Sequence, residues 1–219
     1  MAEPTAETLS ASTGYVFESD YVTRFAPTWQ EFLSAIEPTA VLEIGCYEGI
    51  STAYWIEQCS RFGRLEIHCL DMWDPGGVSV REQRFDHNVR IARQSAQRNT
   101  GQDVVLHKLK GDSKLSLAKL LSSESRPVFD FVYVDGSHTG PGVLADAVLS
   151  FDMLRPGGIM LFDDYLWAGP VPQYNTAMEQ ADVHNTPKIG IDAFINVYQR
   201  QVRIIANVPL YQLAIIKVG

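Results

Sequence analysis

The stretch "FDFVYVDGSHTGPGVLADAVLSFDMLRPGGIMLFDDY" (129–165) contains a complete strand–helix–strand unit. The aromatic and β-branched run at 128–136 predicts a buried strand, and the apolar residues of 140–154 predict a helix. A second apolar run at 157–165 predicts the next strand. Because strands joined by a crossover helix lie parallel in one sheet, this stretch predicts an α/β fold.

The same alternation precedes this unit. The other predicted strands of the alternating part are 40–45, 64–73 and 103–112, and the predicted helices are 26–38, 50–63, 79–99 and 114–124. Helix 188–200 is followed by two predicted strands, 202–207 and 208–219. Because only a short turn joins these two strands, they must be antiparallel. The prediction is an α/β, doubly wound, mostly parallel seven-stranded sheet (Rossmann-like) that ends in an antiparallel β-hairpin. Residues 1–25 are expected to be a polar leader and 26–219 a single domain.

Composition excludes several classes of protein. The 219 residues carry 18 Lys and Arg against 26 Asp and Glu, a net charge of −8 that argues against a nucleic-acid partner. No apolar run approaches the roughly 20 residues of a membrane span, and the first residues lack the basic start and apolar run of a secretory signal. Three cysteines without paired zinc spacing indicate buried thiols, so a cytoplasmic location is expected.

Ligands of doubly wound sheets bind at the carboxyl ends of the strands. The first such end, "LEIGCYEGIST" (42–52), has a tight loop between Gly45 and Gly49. Its G-x-x-x-G spacing differs from the G-x-G-x-x-G of dinucleotide sites. The glycines indicate either the close approach of a ligand or helix–strand packing.

Polar residues also close the next two predicted strands. Asp71 lies about 20 residues beyond the glycines, where an acidic side chain can bind ribose hydroxyls or cap the following turn. Asp112 and Ser113 close the third strand, where they could contact a base or cap the next helix.

Five motifs carry a resemblance to a known family. The segments "LEIGCYEGIST", "HCLDMWD", "KGDS", "FDFVYVDGSH" and "LRPGGIMLFDDY" resemble the successive motifs of the class I S-adenosylmethionine-dependent methyltransferases. The chain is most similar to the small O-methyltransferases that include the catechol, caffeoyl-CoA and macrolide-sugar enzymes. The resemblance runs from about residue 38 to the final hairpin.

The resemblance implies a cofactor site. Glu43 to Gly49 would border the methionine portion, Asp71 would hold the ribose, and Asp112 with Ser113 would flank the adenine. Trp73 would cover one adenine face or belong to the core. The residues expected to bind the cofactor are Glu43, Gly45, Gly49, Ser51, Asp71, Trp73, Asp112, Ser113 and Asp135.

Carboxylates follow the fourth and fifth predicted strands. Asp135 ends one strand, and Asp163 with Asp164 end the next, so the three should converge across about 4.8 Å of strand spacing. Clustered carboxylates without cysteine ligands favour Mg²⁺ over zinc. In the catechol-type relatives the matching positions bind Mg²⁺, with Asn where this chain has Asp164. That difference leaves open which of Asp163 and Asp164 is a ligand, and turn capping is the structural alternative.

His138 lies three residues beyond Asp135. An imidazole with a pKa of about 6.5 is suited to accept the proton of a hydroxyl that is being methylated. The catechol-type relatives have lysine here, whereas the macrolide-sugar relatives use a histidine as base. The alternative is a turn histidine that caps the helix from Gly140.

The expected function is transfer of a methyl group from S-adenosylmethionine to a hydroxyl of a sugar, natural product or phenol, with Mg²⁺ and His138 assisting. Tyr165, Trp167 and Tyr174, in a long loop, would form an acceptor wall or cover the core edge. The alternatives are metal-independent N- or O-methylation, a non-catalytic nucleotide-binding protein and an NAD-linked oxidoreductase. His68 and His107 are expected to be packed in strands, and the hairpin edge would permit a homodimer.

Overall fold

Seven strands form one sheet in the order β3-β2-β1-β4-β5-β7-β6. The structure, a computed structural model, describes residues 14–74, 76–77, 79–167, 185–209 and 211–219. The strands of the described chain are β1 (Ala40–Ile44), β2 (Leu65–Asp71), β3 (Val104–Lys110), β4 (Phe129–Val134), β5 (Leu154–Phe162), β6 (Val202–Ile204) and β7 (Leu213–Lys217). Its helices are α1 (Val22–Ile36), α2 (Ile50–Cys59), α3 (Val80–Thr100), α4 (Ser113–Ser122), α5 (Gly140–Phe151) and α6 (Pro187–Tyr198).

Strands β1 to β5 are parallel, and β7 is antiparallel to both β5 and β6. The predicted doubly wound sheet with an antiparallel end is therefore confirmed. Ile44 pairs with Leu70 on one side and with Val134 on the other, and Val134 pairs with Phe162. The ends of β1, β2, β4 and β5 therefore lie at one edge of the sheet, where the chain order reverses and ligands of such folds bind.

Both faces of the sheet are covered by helices, because nearly every position of the central strands is apolar. One face packs against α1, α2 and α3 around Trp29, Trp55 and Tyr133. The opposite face packs against α4, α5 and α6 around Leu42 and Phe194. The three cysteines are free and buried, as predicted.

The first helix begins earlier than the predicted residue 26, at Val22. Residues 14–25 of the expected leader pack on the domain: the backbone N–H of Val16 donates to Asn88 and that of Glu18 donates to Glu48. The helix starts earlier because Val22 and Phe25 are buried with its apolar stripe. The division of the chain at residue 26 stays a prediction, and residues 1–13 lie outside the described part.

The final hairpin has a longer connection than the predicted short turn. Strand β6 ends at Ile204 and β7 begins at Leu213, although the two remain antiparallel. Gln212 is not part of β7, and its buried side chain accepts a hydrogen bond from the Trp29 indole and donates one to Asp163.

Among the described residues, no helix combines the length and the apolar character needed to cross a lipid bilayer.

Candidate active site

The loop after β1 depends on two glycines. Gly45 has a φ of +88°, and a Cβ there would lie 2.1 Å from the backbone oxygen of Asp135. Gly49 has a φ of +80°, and a Cβ there would lie 2.9 Å from Phe85. Both glycines are therefore required by the packing of the protein itself. Their contact with a cofactor stays a prediction.

Asp71 fixes the same loop from the end of β2. Its Oδ2 accepts hydrogen bonds from the backbone N–H groups of Cys46 and Tyr47, both at 2.8 Å. Its Oδ1 accepts from the N–H of Trp73 at 2.6 Å. The Trp73 indole donates to the Tyr47 oxygen at 2.8 Å and packs on Phe85. Asp71 thus holds two strand ends together, and its ribose contact stays a prediction.

Glu43 lies in a closed network below the loop. Its fully buried carboxylate accepts from Ser51 Oγ at 2.5 Å, from Thr52 Oγ1 and from Trp55 Nε1 at 3.2 Å. Burial raises the pKa of the Glu43 carboxyl to about 7. Ser51 also accepts from the Tyr21 hydroxyl at 3.1 Å. Glu43 and Ser51 stabilise the start of α2, and their role toward a cofactor stays a prediction.

Asp112 and Ser113 begin α4. Asp112 is the N-cap, since its side chain accepts from the Leu115 N–H at 3.1 Å, so the capping alternative applies to it. The Ser113 hydroxyl instead donates to Asp146 at 2.6 Å. Neither contact tests the predicted adenine site.

Asp146 on α5 was not singled out from the sequence. It is fully buried, its second oxygen has no partner among the described residues, and burial raises its pKa to about 6. Its one sequence signal is a carboxylate within an otherwise apolar helix, "GPGVLADAVLSF". The Asp146–Ser113 hydrogen bond joins α5 to the start of α4.

Asp135, His138 and Asp164 come together beyond the ends of β4 and β5, and we call this cluster the acidic rim. One ligand atom of each lies within 4.8 Å of the others. His138 Nε2 lies 2.7 Å from Asp164 Oδ2, and the imidazole stacks on Trp167 with 5.1 Å between ring centroids. The side chain of His138 is 39% exposed, so the rim is accessible from solvent.

The neighbouring Asp163 is directed elsewhere. One of its oxygens accepts from the Tyr133 hydroxyl, and the other accepts from the Asp164 N–H at 2.9 Å and from Gln212 at 3.1 Å. Successive side chains of a strand alternate in direction, and Asp164 has a φ of +55° that turns the chain sharply after β5. Of the three predicted metal ligands, two therefore meet at the rim, with His138 as their neighbour.

Negative charge is concentrated at the rim. Burial raises the pKa of Asp135 well above its usual range, and the nearby carboxylates of Asp163 and Asp164 raise it further. The hydrogen bond to Asp164 raises the pKa of His138. Both directions show that the rim favours additional positive charge.

His138 does not cap the following helix. Thr139 is the N-cap of α5, and its hydroxyl accepts from the Gly142 N–H at 3.4 Å. The capping alternative for His138 is therefore wrong.

The start of the long loop is partly described. The Tyr165 hydroxyl donates to Asp192 at 2.9 Å and accepts from Lys188 at 2.8 Å, which fixes this ring against α6. Tyr174 lies outside the described residues. An acceptor wall in this loop stays a prediction.

Comparisons with solved structures support the fold. An O-methyltransferase from Bacillus cereus in complex with S-adenosylhomocysteine (SAH) is 17% identical with a TM-score of 0.62, covering 97% of this chain and 89% of that one. The O-methyltransferase TomG from Streptomyces achromogenes, in complex with S-adenosylmethionine, is 16% identical with a TM-score of 0.56, covering 98% and 96%. The MycE methyltransferase of the mycinamycin pathway, in complex with Mg, SAH and mycinamycin VI, is 18% identical with a TM-score of 0.55, covering 99% of this chain and 55% of that one. These identities establish the fold alone.

A search of curated protein sequences finds no significant match. A family model described as a methyltransferase domain matches residues 42–165, which is more than half of the chain. The matched segment runs from within β1 to the end of β5 and includes the glycine loop and the whole acidic rim. The predicted resemblance to the class I methyltransferases is thereby confirmed, and the chain belongs to the methyltransferase domain family.

Proposed function

We propose that this protein is an S-adenosylmethionine-dependent O-methyltransferase that acts on a hydroxyl of a small molecule, with Mg²⁺ assistance and His138 as general base. The observation that carries the proposal is the acidic rim of Asp135, His138 and Asp164 at the sheet edge where such folds bind ligands. The acceptor class is a sugar, a natural product or a phenol. A homodimer stays a prediction.

The loop after β1 would form the floor of the cofactor site. S-adenosylmethionine, when bound, supplies a methyl group on a sulfonium centre. Asp71 holds the backbone of Cys46 and Tyr47 by two hydrogen bonds, which keeps the loop in one conformation before any ligand arrives. Such preorganisation lowers the ordering cost of binding.

The donor set of the rim fits a hard divalent cation. Asp135 and Asp164 would hold it, because carboxylate oxygens are the ligands that Mg²⁺ prefers and both oxygens of Asp163 already accept hydrogen bonds. A cation here would offset the charge that raises the pKa of Asp135. Bound Mg²⁺ would supply orientation and a lower pKa for the acceptor hydroxyl.

His138 is positioned to accept the proton of that hydroxyl. With its Nε2–H donating to Asp164, the imidazole keeps its lone pair on Nδ1, which is then the proton acceptor. The Asp164 carboxylate stabilises the imidazolium that forms, consistent with the raised pKa of His138. Trp167 stacks on the ring and restricts its orientation.

The MycE structure supports the metal and the acceptor class, since that protein was crystallised with Mg, SAH and mycinamycin VI. Its similarity to this chain covers 99% of the residues, although it covers 55% of MycE. A natural-product hydroxyl is accordingly the first acceptor class to screen.

The experiment is a thermal-shift series with SAH, NAD or buffer, each with and without Mg²⁺. A ligand at 100 times its Kd stabilises the native state by about 2.7 kcal/mol, so binding is readily detected. We expect a shift with SAH and none with NAD. A shift with NAD alone would favour the oxidoreductase, and no shift with SAH would contradict the proposed cofactor.

A metal-independent methyltransferase is the second candidate. The observation that favours it is the 2.7 Å contact between His138 and Asp164, which forms a base with its orienting carboxylate from protein groups alone. Activity that persists in a chelator would support this second candidate, whereas activity restored only by added Mg²⁺ would support the first.

A further inference from the structure

A second cluster of metal-binding side chains lies on β2 and β3, away from the acidic rim. Ligand atoms of Glu66, His68 and His107 all lie within 4.8 Å of one another. His68 and His107 are direct partners in the parallel register, and Glu66 shares a face of β2 with His68 because it lies two residues away. The proposed methyl transfer uses none of these side chains.

The cluster is separated along β2 from the edge of the sheet at which the proposed cofactor site lies. On β2, His68 lies three residues before Asp71, which is about 10 Å at the rise of an extended chain. The cluster therefore lies near the middle of β2 and β3, away from the edge of the sheet that carries the proposed cofactor site.

His68 is the unusual member of this cluster. It is 5% exposed, and its Nδ1 is buried without a hydrogen-bond partner among the described residues. The ring stacks on His107 with 4.2 Å between centroids and contacts the edge of Phe129. An unsatisfied buried polar atom costs about 1–3 kcal/mol, so ordinary core packing leaves this histidine unexplained.

The protonation state of His68 is compatible with binding a metal ion. Burial and the neighbouring His107 lower the pKa of His68 to about 4, so its imidazole is neutral near pH 7. A neutral imidazole binds a metal ion without first losing a proton.

We propose that Glu66, His68 and His107 form a zinc-binding site. Two imidazoles and one carboxylate are a donor set that Zn²⁺ takes, with water in the fourth position. The ligand atoms of a tetrahedral zinc ion lie about 3.3 Å apart, and Glu66 Oε1 and His107 Nε2 already lie 3.1 Å apart. Binding requires the His68 and His107 rings to tilt toward one another. The His107 and Glu66 side chains are 43% and 52% exposed, so the expectation that His107 is packed is wrong and an ion reaches the site from solvent.

The bound ion would stabilise the edge of the sheet by linking β2 to β3. Strand β3 has β2 as its neighbour on one side and is the last strand at that edge. Zinc held by both strands would stabilise the folded chain by mass action, so the melting temperature would rise with zinc concentration.

The experiment is a competition titration of the full chain against a chromophoric zinc chelator, with zinc as the added metal. His107→Ala should weaken the binding of the zinc ion at this site by more than about tenfold, and Glu66→Gln should weaken it less. Both positions are exposed, so the variants should fold, which circular dichroism would verify. His87→Ala, at a half-buried histidine of α3 outside the cluster, is the control and should bind zinc like the wild type.

A further variant separates this cluster from the rim. Asp164→Asn should leave zinc binding at the second cluster unchanged. Wild-type affinity and stoichiometry in His107→Ala would overturn the proposal, since any bound zinc would then lie elsewhere. Loss of all zinc binding in Asp164→Asn, or the absence of zinc binding by the wild type, would overturn it as well.

Discussion

Two regions at the strand ends of this protein hold carboxylates away from bulk water, one at β1 and one at β4 and β5, and they do so in opposite ways. At the end of β1, Glu43 accepts hydrogen bonds from three uncharged donors, Ser51, Thr52 and Trp55. At the ends of β4 and β5, Asp135 lies near the carboxylates of Asp163 and Asp164. Asp164 pairs with His138 in the described structure. Burial alone therefore does not mark a reactive carboxylate. What distinguishes the rim is the close approach of several carboxylates, of which Asp164 pairs with His138 among the described residues.

The difference follows from where the partners lie in the sequence. The donors to Glu43 come from the helix that directly follows its strand, so the chain supplies them locally. The rim joins the ends of two strands and the residues after them, and its charges meet only when the sheet forms. The first arrangement stabilises a loop, whereas the second can accept an ion and a proton.

The largest expected effect concerns the rim. His138→Ala should lower kcat by about 10²–10⁴ if the imidazole is the general base. The measurement is the initial rate of SAH formation with an acceptor found by screening, at saturating S-adenosylmethionine. His87→Ala is the control for loss of a half-buried imidazole elsewhere in the chain. Full activity of His138→Ala would show that the rim does not supply the general base.

Gly45 joins the two strand ends. Gly45→Ala should reduce the free energy of unfolding by about 3 kcal/mol or more, because it adds left-handed backbone strain to a clash with the Asp135 oxygen. Gly101→Ala is the matched control, with a φ of +70° and open space around a Cβ, and should cost about 1–2 kcal/mol. Urea unfolding of both variants measures the difference. Equal losses would mean that the close approach at Gly45 relaxes freely.

Glu43 should make stability depend on pH. Its pKa is about 7 in the folded protein and near 4.5 when unfolded, so its contribution is full below pH 4.5 and is lost as the pH rises through 7. Glu43→Gln should remove a loss of about 2–3 kcal/mol between pH 5 and pH 8.5, measured by urea unfolding. Glu31→Gln, at an exposed position of α1, is the control. An unchanged pH profile in Glu43→Gln would show that the pKa of Glu43 is nearly the same in the folded and the unfolded protein.

The smallest expected effect separates capping from binding at Asp112. Asp112→Ala should lower the free energy of unfolding by about 1 kcal/mol through loss of the N-cap of α4, and Asp112→Asn should retain stability. Unchanged SAH affinity in Asp112→Asn, measured by calorimetry, would assign this residue to capping. A clear loss of SAH affinity in a variant that keeps its stability would support the assignment of Asp112 to the adenine site, which the family resemblance implies.

Local patterns predicted most of the fold correctly. Alternating strand and helix periods gave the parallel sheet and its antiparallel end, since a crossover helix and a short connection each permit one relative strand direction. The boundaries were less accurate. The start of α1 and the length of the final connection depend on Phe25 and Gln212, whose partners lie far away in the chain.

Hydrophobic periodicity and motif spacing are local properties of the chain, and they were enough to predict the fold class and the family and to place Asp135, His138 and Asp164 at strand ends. The folded chain was needed to show that Asp163 turns to Tyr133 and Gln212 and that Asp71 holds a loop. It was also needed to show that His68 stacks on His107 with a nitrogen that has no partner among the described residues. Hydrogen-bond partners and burial are set by which strands and helices pack together, and that packing brings together residues that no local pattern relates.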